Sequence, residues 1–285
     1  MMCCDVVMPV DLAHISALTV ELAVEGGRRA REWRAEGFTV SSKSTPTDLV
    51  TEVDGRVERW IGAQLRHRRP GDGLVGEEAA ADAPGGDGVR WLVDPIDGTV
   101  NFTLGLPQYA VSVAAEVDGR VVAGCVANPV SGDVFRAVTG QGAYRQRTDE
   151  HGGLRPQTER LTGPREIALD RAVVGTGFGY ETGRRARQGE VVARLLPRIG
   201  DIRRAGSASL DLCAVAAGWL DAHFEAGLHV WDYAAGLLIA TEAGCVSSGL
   251  GNRAAGEQFC AVAGAGLGPV LFELLAELGA DRVLD

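Results

Sequence analysis

One short run constrains this chain more than any other. Arg90-Trp91-Leu92-Val93 has the make-up of a buried strand, and Asp94-Pro95-Ile96-Asp97-Gly98-Thr99 follows it at once. Asp94 is expected where the strand leaves the sheet, with Pro95, which cannot donate a ladder hydrogen bond, ending the pairing. Asp97 comes three residues later, and Gly98 lets the backbone turn sharply. Two carboxylates on one tight turn repel unless a cation lies between them. Mg²⁺ prefers oxygen ligands, keeps several waters and takes substrate phosphate as a further ligand. The Gly98 and Thr99 amides, if they open a helix, face an anion. The same six residues also read as Asp94 capping a turn and Asp97 capping the next helix, because Asp-Pro and Asp-Gly are common turn formers. Alone, the run leaves both readings open.

Two other acidic groups stand near element ends. Glu77–Glu78 follows Gly76 and a short strand, Leu74–Val75, and precedes a loop at Ala79 to Gly88; adjacent glutamates commonly form a solvated face. Asp232, in Val230-Trp231-Asp232-Tyr233, stands before an apolar helix, where an N-cap is the simplest reading.

Apolar positions at helical spacing predict a first helix from Asp11 to Arg34, ending near Gly37, and a second from Glu52 to Leu65. Phe38 to Thr51 between them is polar and broken by Pro46, and Arg66 to Gly73 reads as a turn. Tyr109–Val117 and Val121–Asn128 form a hairpin joined at Asp118-Gly119, and Val134–Val138 with Ala143–Gln146 suggest another. The polar stretch Thr148 to Pro164 is the expected boundary between an N-terminal half, 1–150, and a C-terminal half, 151–285. Beyond it, strands at Ala172–Gly175 and Ile202–Arg204 alternate with helices near Arg184–Pro197, Ser209–Ala217, Tyr233–Ala243 and Val270–Leu278. A β-rich half followed by a βα half implies layered sheets and helices, an α/β fold with an α+β first half.

The net charge of −10 leaves no basic excess to displace counterions, so neither a nucleic acid nor a membrane is the expected partner. An acidic protein that acts on an anionic substrate needs local positive charge, and bound metal supplies it. The six cysteines, Cys3, Cys4, Cys125, Cys213, Cys245 and Cys260, include no CxxC, and the last four sit among apolar or small residues. This suits a reducing compartment without a disulfide framework. The first residues carry no basic region, and no apolar run reaches 18, so a cytoplasmic location is expected.

Together the motifs are more specific than any one of them. Gly76-Glu77-Glu78, Asp94-Pro95-Ile96-Asp97-Gly98-Thr99 with Asn101-Phe102, and Trp231-Asp232 resemble the inositol monophosphatase family, in particular its SuhB-like bacterial branch. Lys43 to Thr51 leading to Asp54, Arg204 to Leu212, and Asp221 to Asp232 extend the resemblance, which runs from about Leu12 to Leu278.

The resemblance implies an αβαβα sandwich of the sugar-phosphatase type and a lithium-sensitive, metal-dependent phosphatase. It implies that Glu77, Asp94 and the Ile96 carbonyl hold a first Mg²⁺, that Asp94, Asp97 and Asp232 hold a second, and that Glu77 shares a third, weaker ion. Mn²⁺ is an implied substitute, and Li⁺ and Ca²⁺ are implied inhibitors. Thr99, with Asp54 behind it, orients a metal-bound water; Gly98 and Thr99 amides receive phosphate; Glu225, Ala208 and Asp97 meet substrate hydroxyls. A small phosphorylated alcohol as substrate and a homodimer complete the expectation. Histidinol phosphate, fructose 1,6-bisphosphate and 3′-phosphoadenosine nucleotides are alternative substrates, and a regulatory binding protein with secondary activity is an alternative role.

Other residues keep two readings. Lys43 and Glu78 are further site candidates, with a solvated surface lysine equally open. His229 reads as a packed histidine, and Gly175-Thr176-Gly177-Phe178-Gly179 as a turn after a strand rather than a dinucleotide fingerprint. Arg184-Arg185-Ala186-Arg187 reads as a solvated helix start, with a subunit or substrate contact as the alternative, and Arg203-Arg204 as a substrate-side or subunit contact.

Overall fold

The computed structural model describes residues 11–78 and 88–284. The first part of the chain forms α1 (Leu12–Glu36), β1 (Val40–Ser42), β2 (Leu49–Thr51), α2 (Glu52–Arg68) and β3 (Gly73–Gly76). Next come β4 (Val89–Asp97), α3 (Thr99–Leu104), β5 (Ala110–Val117), β6 (Arg120–Ala127), β7 (Asp133–Val138), β8 (Ala143–Arg147) and β9 (Glu159–Arg160). The remainder forms β10 (Val173–Thr176), α4 (Thr182–Leu195), β11 (Asp201–Arg203), α5 (Ala208–Ala216) and β12 (Ala222–Glu225). It closes with α6 (Val230–Glu242), β13 (Val246–Ser248), β14 (Cys260–Ala263) and α7 (Gly268–Glu277).

Strands β3 to β9 lie side by side in sequence order in a seven-stranded sheet, with β3 parallel to β4 and the other pairs antiparallel. A five-stranded sheet has the order β11-β10-β12-β14-β13, its first three strands parallel. Alternation along the strands assigns the layers. Trp91, Val93, Val111, Val113, Ala123 and Cys125 point into one core with Ile15, Leu22, Val57 and Ile61 of α1 and α2. Leu92, Ala114 and Val126 point the other way, against Leu212, Ala235 and Ile239 of α5 and α6 and Val262 of the second sheet. On that sheet's far face Phe224, Ala261 and Ala263 meet Val191, Leu195, Leu271 and Leu275 of α4 and α7. The layers therefore run helix, sheet, helix, sheet, helix, as the sandwich reading anticipates.

Several boundaries differ from the sequence reading, each for a local reason. The polar stretch Phe38–Thr51 folds into the β1–β2 hairpin, held by the Lys43 amide donating to the Asp48 carbonyl at 2.8 Å. Its outer strand is exposed, so no buried pattern marked it. Helix α2 continues one turn past Leu65, and its last residue, Arg68, donates to Glu21 of α1 at 2.7 Å. Strand β4 does not stop at Pro95. It pairs Asp94 with Ser112, skips register around the proline, and resumes with Asp97 opposite Ala110, so Pro95 sits in a bulge where no ladder donor is needed. Strands β12, β13 and β14 were not expected; β12 carries His223 and Glu225 among its residues, which interrupts an apolar run. The stretch Thr148–Pro164 contains β9, the last strand of the first sheet. The loop expected at Ala79 to Gly88 lies, apart from Gly88, outside the described residues. No helix among the described residues is long and apolar enough to cross a membrane.

Helix α6 is set tightly against the first sheet. The Ser112 hydroxyl donates to the Trp231 carbonyl at 3.3 Å, and the Gly140 and Gly142 amides donate to the Glu242 carboxylate at 2.7 and 2.8 Å. Between these anchors Gly124 of β6 faces Ala235, and a Cβ there would stand 2.9 Å from the Ala235 Cα. A side chain at Gly124 forces helix and sheet apart. Gly124→Val is expected to cost about 1–3 kcal/mol of unfolding free energy, as overpacking does, read as a lower urea midpoint with unchanged slope.

Candidate active site

Strand β4, the start of α3, the N-terminus of α5, the end of β12 and the first turn of α6 surround a cavity of about 540 Å³. Its lining includes Glu77, Asp94, Ile96, Asp97, Gly98, Thr99, Ala208, Glu225 and Asp232, together with Lys43. Every residue the sequence reading gave to metal or substrate therefore faces one space. Asp54 and Glu78 stand just behind this lining.

Each carboxylate is held by local bonds. Asp94 Oδ1 accepts the Ile96 amide at 2.9 Å across the bulge. Asp97 is the most heavily engaged, with Oδ2 accepting the Ser207 hydroxyl at 2.6 Å, the Ser209 amide at 2.7 Å and the Ser209 hydroxyl at 2.5 Å. Its Oδ1 accepts the Ala208 amide at 3.2 Å. These bonds tie the end of β4 to the start of α5. Asp232 lies three residues inside α6 rather than at its cap, and its Oδ2 accepts the His229 amide at 2.7 Å. His229 stacks on Trp231, ring centres 4.8 Å apart, but it is exposed and lines the cavity, so it is not the packed histidine expected.

Gly98 makes the turn between β4 and α3 at a φ of +96°, and a Cβ there would meet the Gln108 carbonyl at 2.9 Å. Only glycine serves at this position. The Thr99 hydroxyl lies 3.0 Å from the Ile96 carbonyl and 3.2 Å from Asp54 Oδ1. Asp54 also closes the first turn of α2 by accepting the Thr51 amide at 3.0 Å. Carboxyl oxygens of Asp54, Glu77 and Glu78 lie within 4.8 Å of one another, spacing that suits a shared cation. The Lys43 ammonium bonds to Glu78 and, at 2.9 Å, to Glu77. Asp94, Asp97 and Asp232 stand outside that tight trio among the described residues, each fixed by the bonds above; Asp97 Oδ2 already accepts three donors, which leaves Oδ1 its freer oxygen.

Comparison with known proteins places the chain. Residues 11–278 match the Inositol monophosphatase family model. The chain belongs to the inositol monophosphatase family. The inositol-1-monophosphatase SuhB of Mycobacterium tuberculosis is 45% identical over 280 residues, 93% of each chain. The solved structure of Mycobacterium tuberculosis SuhB superposes with a TM-score of 0.78 and 40% identity over the superposed residues, covering 94% of this chain and 98% of that one. The Nus factor SuhB of Pasteurella multocida is 36% identical over 232 residues, 79% of this chain and 82% of the relative.

In this inositol monophosphatase family member the electrostatics follow from crowding like charges out of water. Burial, reinforced by Glu77, Asp97, Asp232 and Asp54, pushes Asp94 well above the usual carboxylate range. Burial and Asp97 do the same to Asp232, against the opposing His229 amide. Burial raises Asp97 as well, opposed by its Ser207, Ser209 and Ala208 donors. Burial pushes Asp54 to about 7 against its Thr51 bonds, and pushes Glu225 to about 7 with Arg204 opposing. Burial works to lower Lys43, but the Glu77 and Glu78 carboxylates outweigh it and hold it above its usual value.

Several lining residues escaped sequence reasoning. Arg184 of α4, read as part of a solvated helix start, lines the cavity and donates to the Ala226 carbonyl. Tyr180 and Asp211 line it too; Arg204, for which a substrate-side place was one of two readings, lines it as well. Buried Glu58 of α2 accepts the Glu78 amide at 2.7 Å, and a Cβ at Gly76 would stand 2.4 Å from its carboxylate. The glycine of Gly76-Glu77-Glu78 is the one signal that could have pointed to it.

A pH dependence follows. Carboxyls of an unfolded chain titrate near about 4. With Asp54 and Glu225 at about 7 in the fold, the folded state holds more protons across that window, so stability falls as pH rises through it. In chelator-treated protein the urea midpoint is expected to drop between pH 5 and pH 8, and to drop less in Asp54→Asn. A divalent cation bound at the cluster should restore more stability at pH 8 than at pH 5.

Proposed function

We propose that this chain is a Mg²⁺-dependent phosphomonoesterase acting on inositol monophosphate or a similar small polyol phosphate. One observation carries the reading: Glu77, Asp94, Asp97 and Asp232, from three separate stretches of sequence, open onto one cavity beside Thr99 and Asp54. The donor set is all oxygen and strongly acidic, which fits Mg²⁺. Glu77, Asp94 and the Ile96 carbonyl would hold one ion and Asp94, Asp97 and Asp232 another, with Glu77 and Glu78 beside a weaker third; Mn²⁺ is the natural substitute. Bound magnesium would offset the phosphate charge, acidify a coordinated water and stabilise the departing alkoxide.

The protein's own groups then move the proton. The attacking water gives a proton to Thr99 Oγ1 as Thr99 passes its own to Asp54 Oδ1, across the 3.2 Å contact. Asp54, held in place by its Thr51 bonds, is the acceptor that carries the proton away. Glu77, steadied by Lys43, shares in orienting that water. The Gly98 and Thr99 amides receive phosphate oxygens. Glu225 accepts a substrate hydroxyl, and the Ala208 amide, whose bond to Asp97 is long at 3.2 Å, turns to another. Among the described residues no cysteine takes part, for Cys125, Cys213, Cys245 and Cys260 are buried and burial pushes their thiols up. A cytoplasmic homodimer is part of the same proposal.

A regulatory binding role is the second reading, favoured by relatives named Nus factor SuhB at 34–36% identity. Relatives named inositol-1-monophosphatase reach 44–45% over a greater share of the chain, which ranks catalysis first. Partner capture indifferent to Asp94→Asn, with negligible turnover, would reverse the order.

Asp94→Asn or Asp232→Asn should lower Mg²⁺-dependent phosphate release from inositol 1-phosphate by more than about 100-fold, since losing even a group that orients a ligand costs 10–100-fold. Near-ultraviolet dichroism should be unchanged. Retained turnover in either variant rules out the ligand set. Millimolar Li⁺ should inhibit the wild-type enzyme, and an insensitive enzyme would count against the assignment.

A further inference from the structure

Beside the site lies a polar group that the proposed chemistry does not use. His223 of β12 is wholly buried, and both ring nitrogens lack a hydrogen-bond partner. Nδ1 is 3.8 Å from Asp211 Oδ2 and Nε2 is 3.8 Å from Glu225 Oε2, so the ring bridges two carboxyls that both line the cavity. The neighbouring strand clears space for this arrangement. Gly175 of β10 stands opposite His223 in register, and a Cβ there would come 2.9 Å from Nδ1. Two residues on, a Cβ at Gly177 would come 2.1 Å from Glu225 Oε2. The Gly175-Thr176-Gly177 motif is thus a lane for the His223 and Glu225 side chains.

A neutral imidazole has one donor and one acceptor. Set between two carboxyls, it is satisfied when one carboxyl is protonated and donates its O–H to the bare ring nitrogen while the other, ionised, accepts the ring N–H. The surroundings favour that state: burial lowers His223 to about 4 and pushes Asp211 well up, with Arg204 opposing the shift of both carboxyls. Each 3.8 Å gap closes to bonding length, about 2.7–3.2 Å, with a shift of about 0.6–1.1 Å.

We propose that His223 is a positioning residue that locks Asp211 and Glu225 into a paired reader of hydroxyls on a polyol phosphate. The inference rests on the phosphatase reading and names what that site selects: a substrate with neighbouring hydroxyls remote from its phosphate, rather than phosphomonoesters at large. A site built to bond hydroxyls discriminates strongly against analogues without them, because its buried polar groups are then left unpaired.

The test compares wild type, His223→Phe and His223→Gln on inositol 1-phosphate and on p-nitrophenyl phosphate, which has no free hydroxyl. His223→Phe should reduce the preference in kcat/KM for the inositol ester by about tenfold or more, chiefly through KM, and His223→Gln, which keeps a polar edge, should recover part of it. An equal loss on both substrates, or unchanged preference, overturns the inference and leaves the phosphatase reading intact. No turnover of either substrate by wild type with Mg²⁺ overturns both. If His223→Phe does not fold, the imidazole ¹⁵N resonances of wild type decide: those of His223 should shift on adding myo-inositol, and unmoved resonances at saturation overturn the role.

Discussion

The structure is organised around a repulsion. Asp94 and Asp97 are buried at the junction of the two sheets, with half-buried Asp232 beside them, and Glu77 lines the same cavity. Burial disfavours each charge, and the neighbours disfavour it again. A fold spends stability on such an arrangement only where something else binds there, which is why stability is expected to fall as the cluster ionises.

Backbone and hydroxyl donors keep the repelling groups from turning away. Asp94 is held by the amide two residues on, Asp232 by the amide at the start of its own helix, and Asp97 by four donors at the mouth of α5. The Asp97 bonds join β4 of the first sheet to the helix layer between the sheets, so one carboxylate both serves the cavity and fastens its walls. Glycines do the complementary work. Gly124 lets α6, and Asp232 with it, lie close to the first sheet, and Gly98 turns β4 into α3. At the other end of the cavity Arg184, Arg204, Asp211 and Glu225 form a mixed-charge wall. Cations there oppose the shifts of Glu225 and Asp211, whereas the carboxylates around Asp94 reinforce one another. One end is thus suited to a cation and its phosphate, the other to neutral polar groups.

How much of this could be read from the sequence depended on whether the signal was local. The long helices α1 and α2 and the β5–β6 hairpin showed themselves through periodicity and the Asp118-Gly119 turn, which adopts positive φ at both residues. Strand β12 escaped because His223 and Glu225 interrupt its apolar pattern, and β1 because it is exposed. The bulge at Pro95 was misread as an end, since a proline rules out a donor at its own position but not the resumption of pairing two residues later. Arg184 was read as solvated because a helix start with several arginines carries no mark of which one turns inward.

By itself, the sequence determined the acidic motifs, their order and the elements they close, because strand ends, glycine turns and helix starts are set by neighbours a few residues away. Only the tertiary structure decided that Glu77, Asp94, Asp97 and Asp232 share one cavity, that Asp97 is bonded to α5, and that His223 stands between Asp211 and Glu225. Those relations join residues roughly a hundred positions or more apart or on adjoining elements, and depend on how closely helices and sheets approach. That distance is set by packing across the layers, which no short stretch of sequence records.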